Sequence, residues 1–415
     1  MTANVSTENN TLTPRQLLDS VDRDFCLNFL SRMAQHKSYS ETEGERELAR
    51  YMDGQMKALG LQSELQPVPG ERLNAIGTWK GTGGGASLLF NGHLDTNPVT
   101  EGWTVDPWGG KVDDDFIYGI GVSNMKAGDA AYFCAVKTLR DAGIRLKGDV
   151  ILTYVVGELQ GGIGTIAAIE QGVKADYFIN SEPTDLKALT MHAGSLMFTI
   201  EITGDTRHLS KREEAVDALA AAVELIPQIN TMTFSGAKSE EHLKINRGHV
   251  GVAHAALGRE LHEWRPPQVA DFARLRGSAR YAPGQTVESV LEDIQALLDQ
   301  LCARHPGLQA TLINDSGRMP LMKPFEVSPE SRIVKSVNRA YEQVRGEAQP
   351  TGVITPPAFY GTDAAHFYQM LGMEGIVCGP GGKYNTMPDE RVDIGDFIDM
   401  IKVYMLAIVD ICELA

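Results

Sequence analysis

The sequence predicts an α/β protein in which a mixed sheet flanked by helices is interrupted by an inserted βαββαβ domain of ferredoxin-like type. Two observations carry this. From Leu61 to Glu182, short β-rich runs alternate with apolar residues at helical spacing, the rhythm of an α/β sheet covered on both faces. Between Glu182 and about Met319 the order changes to strand, helix, strand, strand, helix, strand, that of a split βαβ sandwich, and the α/β rhythm then resumes. A chain of 415 residues also exceeds what one hydrophobic core usually supports. The large domain is placed at 13–187 and 307–415, and the insertion at 188–306.

Apolar periodicity marks helices over Leu17–Met33 and Leu48–Leu59, the second closed by Gly60. Strands follow at Leu61–Val68, Asn74–Trp79 and Ser87–Leu94, with the glycine-rich GTGGG as the turn between the last two. Lys126–Ala142 reads as a helix, Val150–Val156 as a buried strand, Gly164–Gln171 as a helix and Tyr177–Asn180 as a strand. In the insertion, strands are expected at Leu196–Ile202, Gly248–Ala256, Val269–Ala279 and Gln309–Ile313. Its first helix, Glu213–Ile226, carries Val216, Leu219, Val223 and Ile226 on one stripe. Its second, Val287–Ala303, carries Val290, Leu291, Ile294, Leu298 and Leu301, with Thr286 as N-cap. Each stripe is expected to bury against a sheet. An apolar strand at Gly375–Cys378 and a helix from Phe397 end the chain.

Acidic residues outnumber basic ones by 54 to 38, for a formal charge of −16, with no basic block, which disfavours a nucleic-acid partner. The first twelve residues lack the basic start and apolar stretch of an export signal. Met400–Ile411 is too short to span a bilayer and carries Lys402, so it reads as a buried helix and no membrane partner is expected. Cys26, Cys134, Cys302, Cys378 and Cys412 are widely spaced and odd in number, as expected of reduced thiols in the cytoplasm.

Three apolar strands end in polar residues: Phe90 runs into NGHLDT, Val156 into GELQGG and Ile179 into NSEPT. Strand ends of an open α/β sheet are where sites form. His93 followed by Asp95 suits a metal ligand backed by an orienting carboxylate. It equally suits a hydrogen-bonded core histidine.

GHLDT, WTVDP, YGIGVSNMKAG, GELQGGIGT, SEPT, GTDA, GPGG and MPDE occur in one order over nearly the whole chain. Together they resemble the family of aminoacylases, acetylornithine and succinyl-diaminopimelate deacylases, and glutamate carboxypeptidases. The resemblance implies a zinc-exopeptidase-like catalytic domain holding two zinc ions, an inserted lid that dimerises, and cleavage of an amide beside a free carboxylate. It places His93, Asn124 and Glu182 at the first zinc, and Asn124, Leu159 and Thr386 at the second. The family has aspartate, glutamate and histidine at positions 124, 159 and 386. A neutral amide lacks the charge to bridge two cations, and leucine offers no donor. No register shift restores them: no other acid lies between Glu158 and Glu170, and the last histidine is His366. The expected cofactor is therefore none, or at most one divalent zinc ion on His93, Asn124 and Glu182.

The resemblance also gives roles to what is retained. Glu158 stands where the family has its general base, with Asp95 beside it. His208 matches a lid histidine that stabilises the carbonyl oxygen across a homodimer, and Arg280 a lid arginine that grips the substrate carboxylate. His93 and Asn124, freed from metal, become substrate contacts, joined by Gly381 of the GPGG turn and by Lys383. The expected partners are a small carboxylate-bearing molecule and a second copy of the chain. Three readings follow: an altered amidohydrolase working with one ion or none, a non-catalytic module using the same cleft, and an ordinary zinc deacylase recruiting His192 or Asp389.

Overall fold

The computed structural model describes residues 5–6, 11–318, 320–354 and 360–415. Met319, where the α/β rhythm is expected to resume, lies outside the described residues. Two compact units divide the chain: Met1–Met191, Phe325–Pro357 and Thr362–Ala415 form the first, and His192–Pro324 with Ala358–Gly361 the second.

In the first unit the expected opening helix is split into α1 (Pro14–Asp19) and α2 (Arg23–Ala34). Asp22 causes the break: its carboxylate accepts the Phe25 N–H at 3.0 Å, so it starts a new helix where apolar spacing alone suggests continuation. Helix α3 (Glu43–Ala58) ends before Gly60, whose φ of 77° lets the chain reverse. The sheet then begins with β1 (Gln62–Val68), β2 (Arg72–Trp79) and β3 (Leu88–His93). Helix α4 (Ala127–Asp141) leads to β4 (Val150–Val155), and α5 (Ile163–Glu170) to β5 (Tyr177–Asn180). The eight strands lie in the order β1, β2, β4, β3, β5, Glu374–Val377, Ala188–Leu189, Thr351–Gly352. β3 runs parallel to both β4 and β5, pairing His93 with Val155 and Asn91 with Asn180, whereas β2 is antiparallel to β4. The sheet is therefore mixed, with a parallel centre. Every residue of β3 is buried, as expected of a strand covered on both faces.

The second unit runs β6 (Gly194–Thr203), α6 (Ala218–Thr231), β7 (Arg247–Ala256), β8 (Phe272–Tyr281), α7 (Val287–Arg304) and β9 (Gln309–Asn314). Its antiparallel sheet has the order β7, β8, β6, β9, so a strand that follows residue 306 belongs to it. The Thr286 hydroxyl accepts the Ser289 N–H at 3.2 Å and caps α7. Val290, Ile294, Leu298 and Leu301 of α7 are fully buried, each worth roughly 1.5–3 kcal/mol relative to exposure. Around α6 half of the expected stripe holds: Val216 and Ile226 pack against the core, whereas Leu219 and Val223 do not. Leu219 and Val223 are 48% and 61% exposed, and the buried face is Ala218, Ala221, Ala222, Leu225 and Ile229. Small alanines let the helix approach the sheet closely, and side-chain size misleads a search for the largest residues. No helix among the described residues is long and apolar enough to cross a membrane.

Candidate active site at three strand ends

The chain leaves β3 for β4 on one side and returns to β5 on the other, so the carboxyl ends of these three neighbours frame a topological switch point. β3 ends in His93, β4 is followed by Gly157 and Glu158, and β5 by Ser181 and Glu182. One donor atom each from His93, Glu158 and Glu182 lies within 4.8 Å of the other two. This is the one group of three or more ligating side chains that meets at such distances among the described residues.

Asp95 organises this cluster. Its Oδ1 accepts the Gly157 N–H at 2.9 Å and the Glu158 N–H at 3.4 Å, and its Oδ2 the Leu159 N–H at 3.4 Å, fixing the turn that carries Glu158. The backbone oxygen of Asp95 lies 2.9 Å from His93 Nδ1. A carbonyl can only accept, so Nδ1 carries the hydrogen and Nε2 faces the cluster. Nε2 lies 3.2 Å from Asn124 Oδ1 and 3.6 Å from Glu182 Oε1. The backbone N–H of His93 points to the Met125 sulfur at 3.2 Å.

Asn124 sits on a tight turn held from far along the chain. Glu390 accepts the N–H groups of Gly121, Ser123 and Asn124 at 3.1, 2.9 and 3.0 Å, and the Asn124–Met125 peptide is cis. Ser123 Oγ bonds to Asn385 Oδ1 and accepts the Gly382 N–H at 3.1 Å. On the other flank Asp363 takes the Thr165 hydroxyl at 2.8 Å, and His366 Nε2 meets Gly161 O at 2.9 Å. Gly162, at φ 76°, allows this approach: a Cβ there would fall 2.4 Å from Asp363 Oδ1 and 2.5 Å from His366 Nε2.

The charges are buried and of one sign except at the imidazole. Burial opposes the charge on His93, yet Glu182 and Asp95 beside it hold its pKa well above the usual value. Burial raises Glu182 to about 7, and burial together with the nearby Glu182 charge lifts Glu158 well above the carboxylate range. Burial also works against Asp95, but His93, Arg72 and the Gly157 N–H keep it below its ordinary value. The surroundings thus favour the ionised form of Asp95 and the protonated forms of His93 and Glu158.

The structure thus brings His93, Asp95, Asn124, Glu158 and Glu182 together. Leu159 is half-buried and Thr386 exposed. Gly381 packs on Ser123, where an added Cβ would meet Oγ at 2.5 Å. The Lys383 N–H donates to Asp185 Oδ1 at 3.0 Å, and its ammonium lies over the Tyr384 ring, 5.3 Å from the centroid. The Asp389 carboxylate is engaged by Thr104 and Val105. His192 Nδ1 lies 3.0 Å from Ala193 O. His208 and Arg280 belong to the second unit. His208 is exposed and its Nδ1 accepts the Ser210 N–H at 3.2 Å. Arg280 is half-buried on β8, across from Ser195 and Arg247.

Sequence reasoning gave no role to Glu390, Asp363 or Ser123. MPDE and GTDA flag the first two as motif members, but only the fold shows Glu390 receiving three N–H groups. The fully buried Asp129 in α4 carried no signal, because an acid on a helix is ordinarily solvated.

The family model of peptidase family M20/M25/M40 matches residues 89–410. The chain is 27% identical over 406 residues to the N-formyl-4-amino-5-aminomethyl-2-methylpyrimidine deformylase of Bacillus subtilis, covering 90% of each chain. It is 27% identical over 377 residues to the acetylornithine deacetylase of Yersinia pestis, covering 88% of this chain and 90% of that one. Among solved structures, the aminopeptidase PepT of Bacillus cereus superposes with a TM-score of 0.76 at 18% identity, over 95% of this chain and all of that one. Human carnosine dipeptidase 1 does so with a TM-score of 0.73 at 14% identity, over 97% and 99%. This chain belongs to peptidase family M20/M25/M40, a family of hydrolases.

Proposed function

We propose that the chain acts on the amide-type bond of a small substrate bearing a free carboxylate, an N-acyl amino acid or dipeptide-like compound, with Glu158 moving the proton and at most one divalent ion present. The observation that carries this reading is the convergence of buried His93 and Glu182 with half-buried Glu158 where three parallel strands end. A deformylase and a deacetylase among the relatives support an acyl amide as the target.

An imidazole and two carboxylates fit one zinc ion. They do not fit two. Position 159 has no donor atom, Thr386 offers an exposed neutral hydroxyl, and the amide oxygen of Asn124 is turned to His93. When bound, one ion would polarise the substrate carbonyl and acidify water. Asp95 orients His93 through Nδ1 and fixes the turn of Glu158, so both side chains keep their places with or without an ion. As a carboxylate, Glu158 can accept the proton of the attacking nucleophile and then pass it to the leaving amine. With one ion or none, activated amides, acyl transfer, condensation or ring closure are easier than hydrolysis of a plain amide. We also read the chain as a homodimer joined through the second unit, where β7 is an edge strand and α6 exposes Leu219 and Val223.

The test is turnover of a panel of N-acyl amino acids by the wild-type chain and Glu158→Gln. Loss of turnover in the variant with binding retained supports the reading. Equal turnover in both, or binding without turnover, refutes it and favours a binding module.

A further inference from the structure

A second concave space lies within the first unit, between the end of α2 and the start of α3. It is an open cleft of about 790 Å³ bordered by the rings of His36, Tyr39, Tyr51 and Trp108, a size and lining suited to a small molecule. Its walls are tied together by contacts of their own. His36 Nδ1 lies 2.9 Å from the backbone oxygen of Arg32, and the imidazole meets the Tyr51 ring of α3 at 4.8 Å. Lys126, fully buried, lies over one face of the Trp108 ring at 5.5 Å and donates to the His36 carbonyl at 3.1 Å. The segment between the helices is pinned as well: the Ser38 carbonyl accepts the Thr96 N–H at 3.0 Å, and the Ser40 hydroxyl donates to Asp95 Oδ2 at 3.2 Å. A ligand therefore meets a cleft that is already shaped.

The charges at the cleft select what the rings would otherwise accept indiscriminately. Glu43 is engaged by Arg46 and by Arg50, the latter at 2.7 Å. Arg32, Lys37 and Glu47 also line the cleft, are exposed, and join no ion pair among the described residues. A lone exposed charge is ordinarily a solvated one. Here charges of both signs border the same aromatic concavity without pairing with each other. A ligand that satisfies all of them carries an anion, a cation and a planar ring within a few bonds.

We propose that this cleft is a second ligand site and takes a free aromatic amino acid as its zwitterion. The ring lies against Tyr39, Tyr51 and Trp108, the carboxylate at Arg32 and Lys37, and the ammonium at Glu47. A guanidinium matches a carboxylate with parallel N–H donors, and aromatic faces favour a planar ring over an aliphatic side chain of similar size. An amine without the carboxylate, or an acid without the ammonium, meets only part of the charge pattern. The site is distinct from the cluster of His93, Glu158 and Glu182, and its occupation requires no turnover.

Isothermal titration of the full chain uses L-tryptophan as the probe. Tryptamine lacks its carboxylate, indole-3-propionate lacks its ammonium, and L-leucine keeps both charges but lacks the ring. L-Tryptophan should bind with a Kd of about 1 mM or below, and each of the other three about tenfold more weakly, the effect of one charge-assisted contact or one stacked ring. The double change Arg32→Gln, Lys37→Gln should weaken L-tryptophan about tenfold and leave tryptamine unchanged, because tryptamine has no carboxylate to lose. Glu47→Gln should weaken L-tryptophan by about the same factor and leave indole-3-propionate unchanged. All three side chains are exposed, so the variants are expected to fold, and melting curves check this. Absence of binding, equal affinity for L-tryptophan and L-leucine, or an L-tryptophan affinity unchanged in either variant overturns the inference. The last result would place the amino acid elsewhere on the chain.

Discussion

Asp129 gives the sharpest quantitative test of the electrostatics beneath the site. It lies in α4 against β3, so close that a Cβ on Gly92 would fall 2.0 Å from its Oδ1. Tyr132 Oη lies 2.9 Å from that oxygen and 3.0 Å from the carbonyl of Thr153. The tyrosine hydroxyl can donate to either acceptor. Burial raises the Asp129 pKa from 3.8 to about 8 against the opposing pull of His93 and of the Tyr132 hydrogen bond, which favours the protonated acid below that value. The native state holds a proton that the unfolded chain releases. This group's contribution is fully present below pH 3.8, falls as pH rises toward about 8, and then levels. Asparagine can donate to Tyr132 in the same place and has no proton to lose. From 3.8 to pH 7 is about three pH units at about 1.4 kcal/mol each, so Asp129→Asn should gain on the order of 4 kcal/mol at pH 7. In urea denaturation the advantage should grow by about 1.4 kcal/mol per pH unit between about pH 5.5 and 7.5. A less stable variant, or an offset that does not change with pH, would refute the protonated pair.

Glu158→Gln should lower turnover by about a hundredfold to ten-thousandfold while leaving substrate affinity near normal, measured by steady-state kinetics and titration of the same substrate. Elemental analysis of the purified chain should find well under two zinc ions, with activity largely surviving chelation; two tightly bound ions required for activity would contradict the reading of positions 124, 159 and 386. The triple change Asn124→Asp, Leu159→Glu, Thr386→His should raise the stoichiometry toward two. Sedimentation should give twice the 45.2 kDa chain mass, and Leu219→Lys with Val223→Lys should shift it toward the monomer.

Much of this molecule was legible in the sequence because its strands are short, apolar and punctuated by glycine. Val150–Val156 is found as Val150–Val155, and Val287–Ala303 as Val287–Arg304. The split at Asp22 was hidden because apolar periodicity continues across an N-cap. The helix Arg332–Arg345 escaped although Ile333, Val334, Val337, Ala340 and Tyr341 are spaced for it and buried. Of the candidate site, His93, Glu158 and Glu182 could be placed because each follows an apolar strand. What joins them could not be read: Asp95 closing the Glu158 turn is a contact across 62 residues, and no local pattern encodes it.

Glu390 and the turn it holds are separated by 266 residues at Asn124. At roughly 5–20 residues per second, a ribosome needs on the order of ten to fifty seconds to travel from one to the other. For most of that interval β3, β4 and β5 are already made, but the N–H groups of Gly121, Ser123 and Asn124 have no carboxylate to receive them. The last motif of the chain therefore times the assembly of a cleft whose first residues emerged long before, and the newborn protein stays without a finished site until its C-terminal segment has left the ribosome.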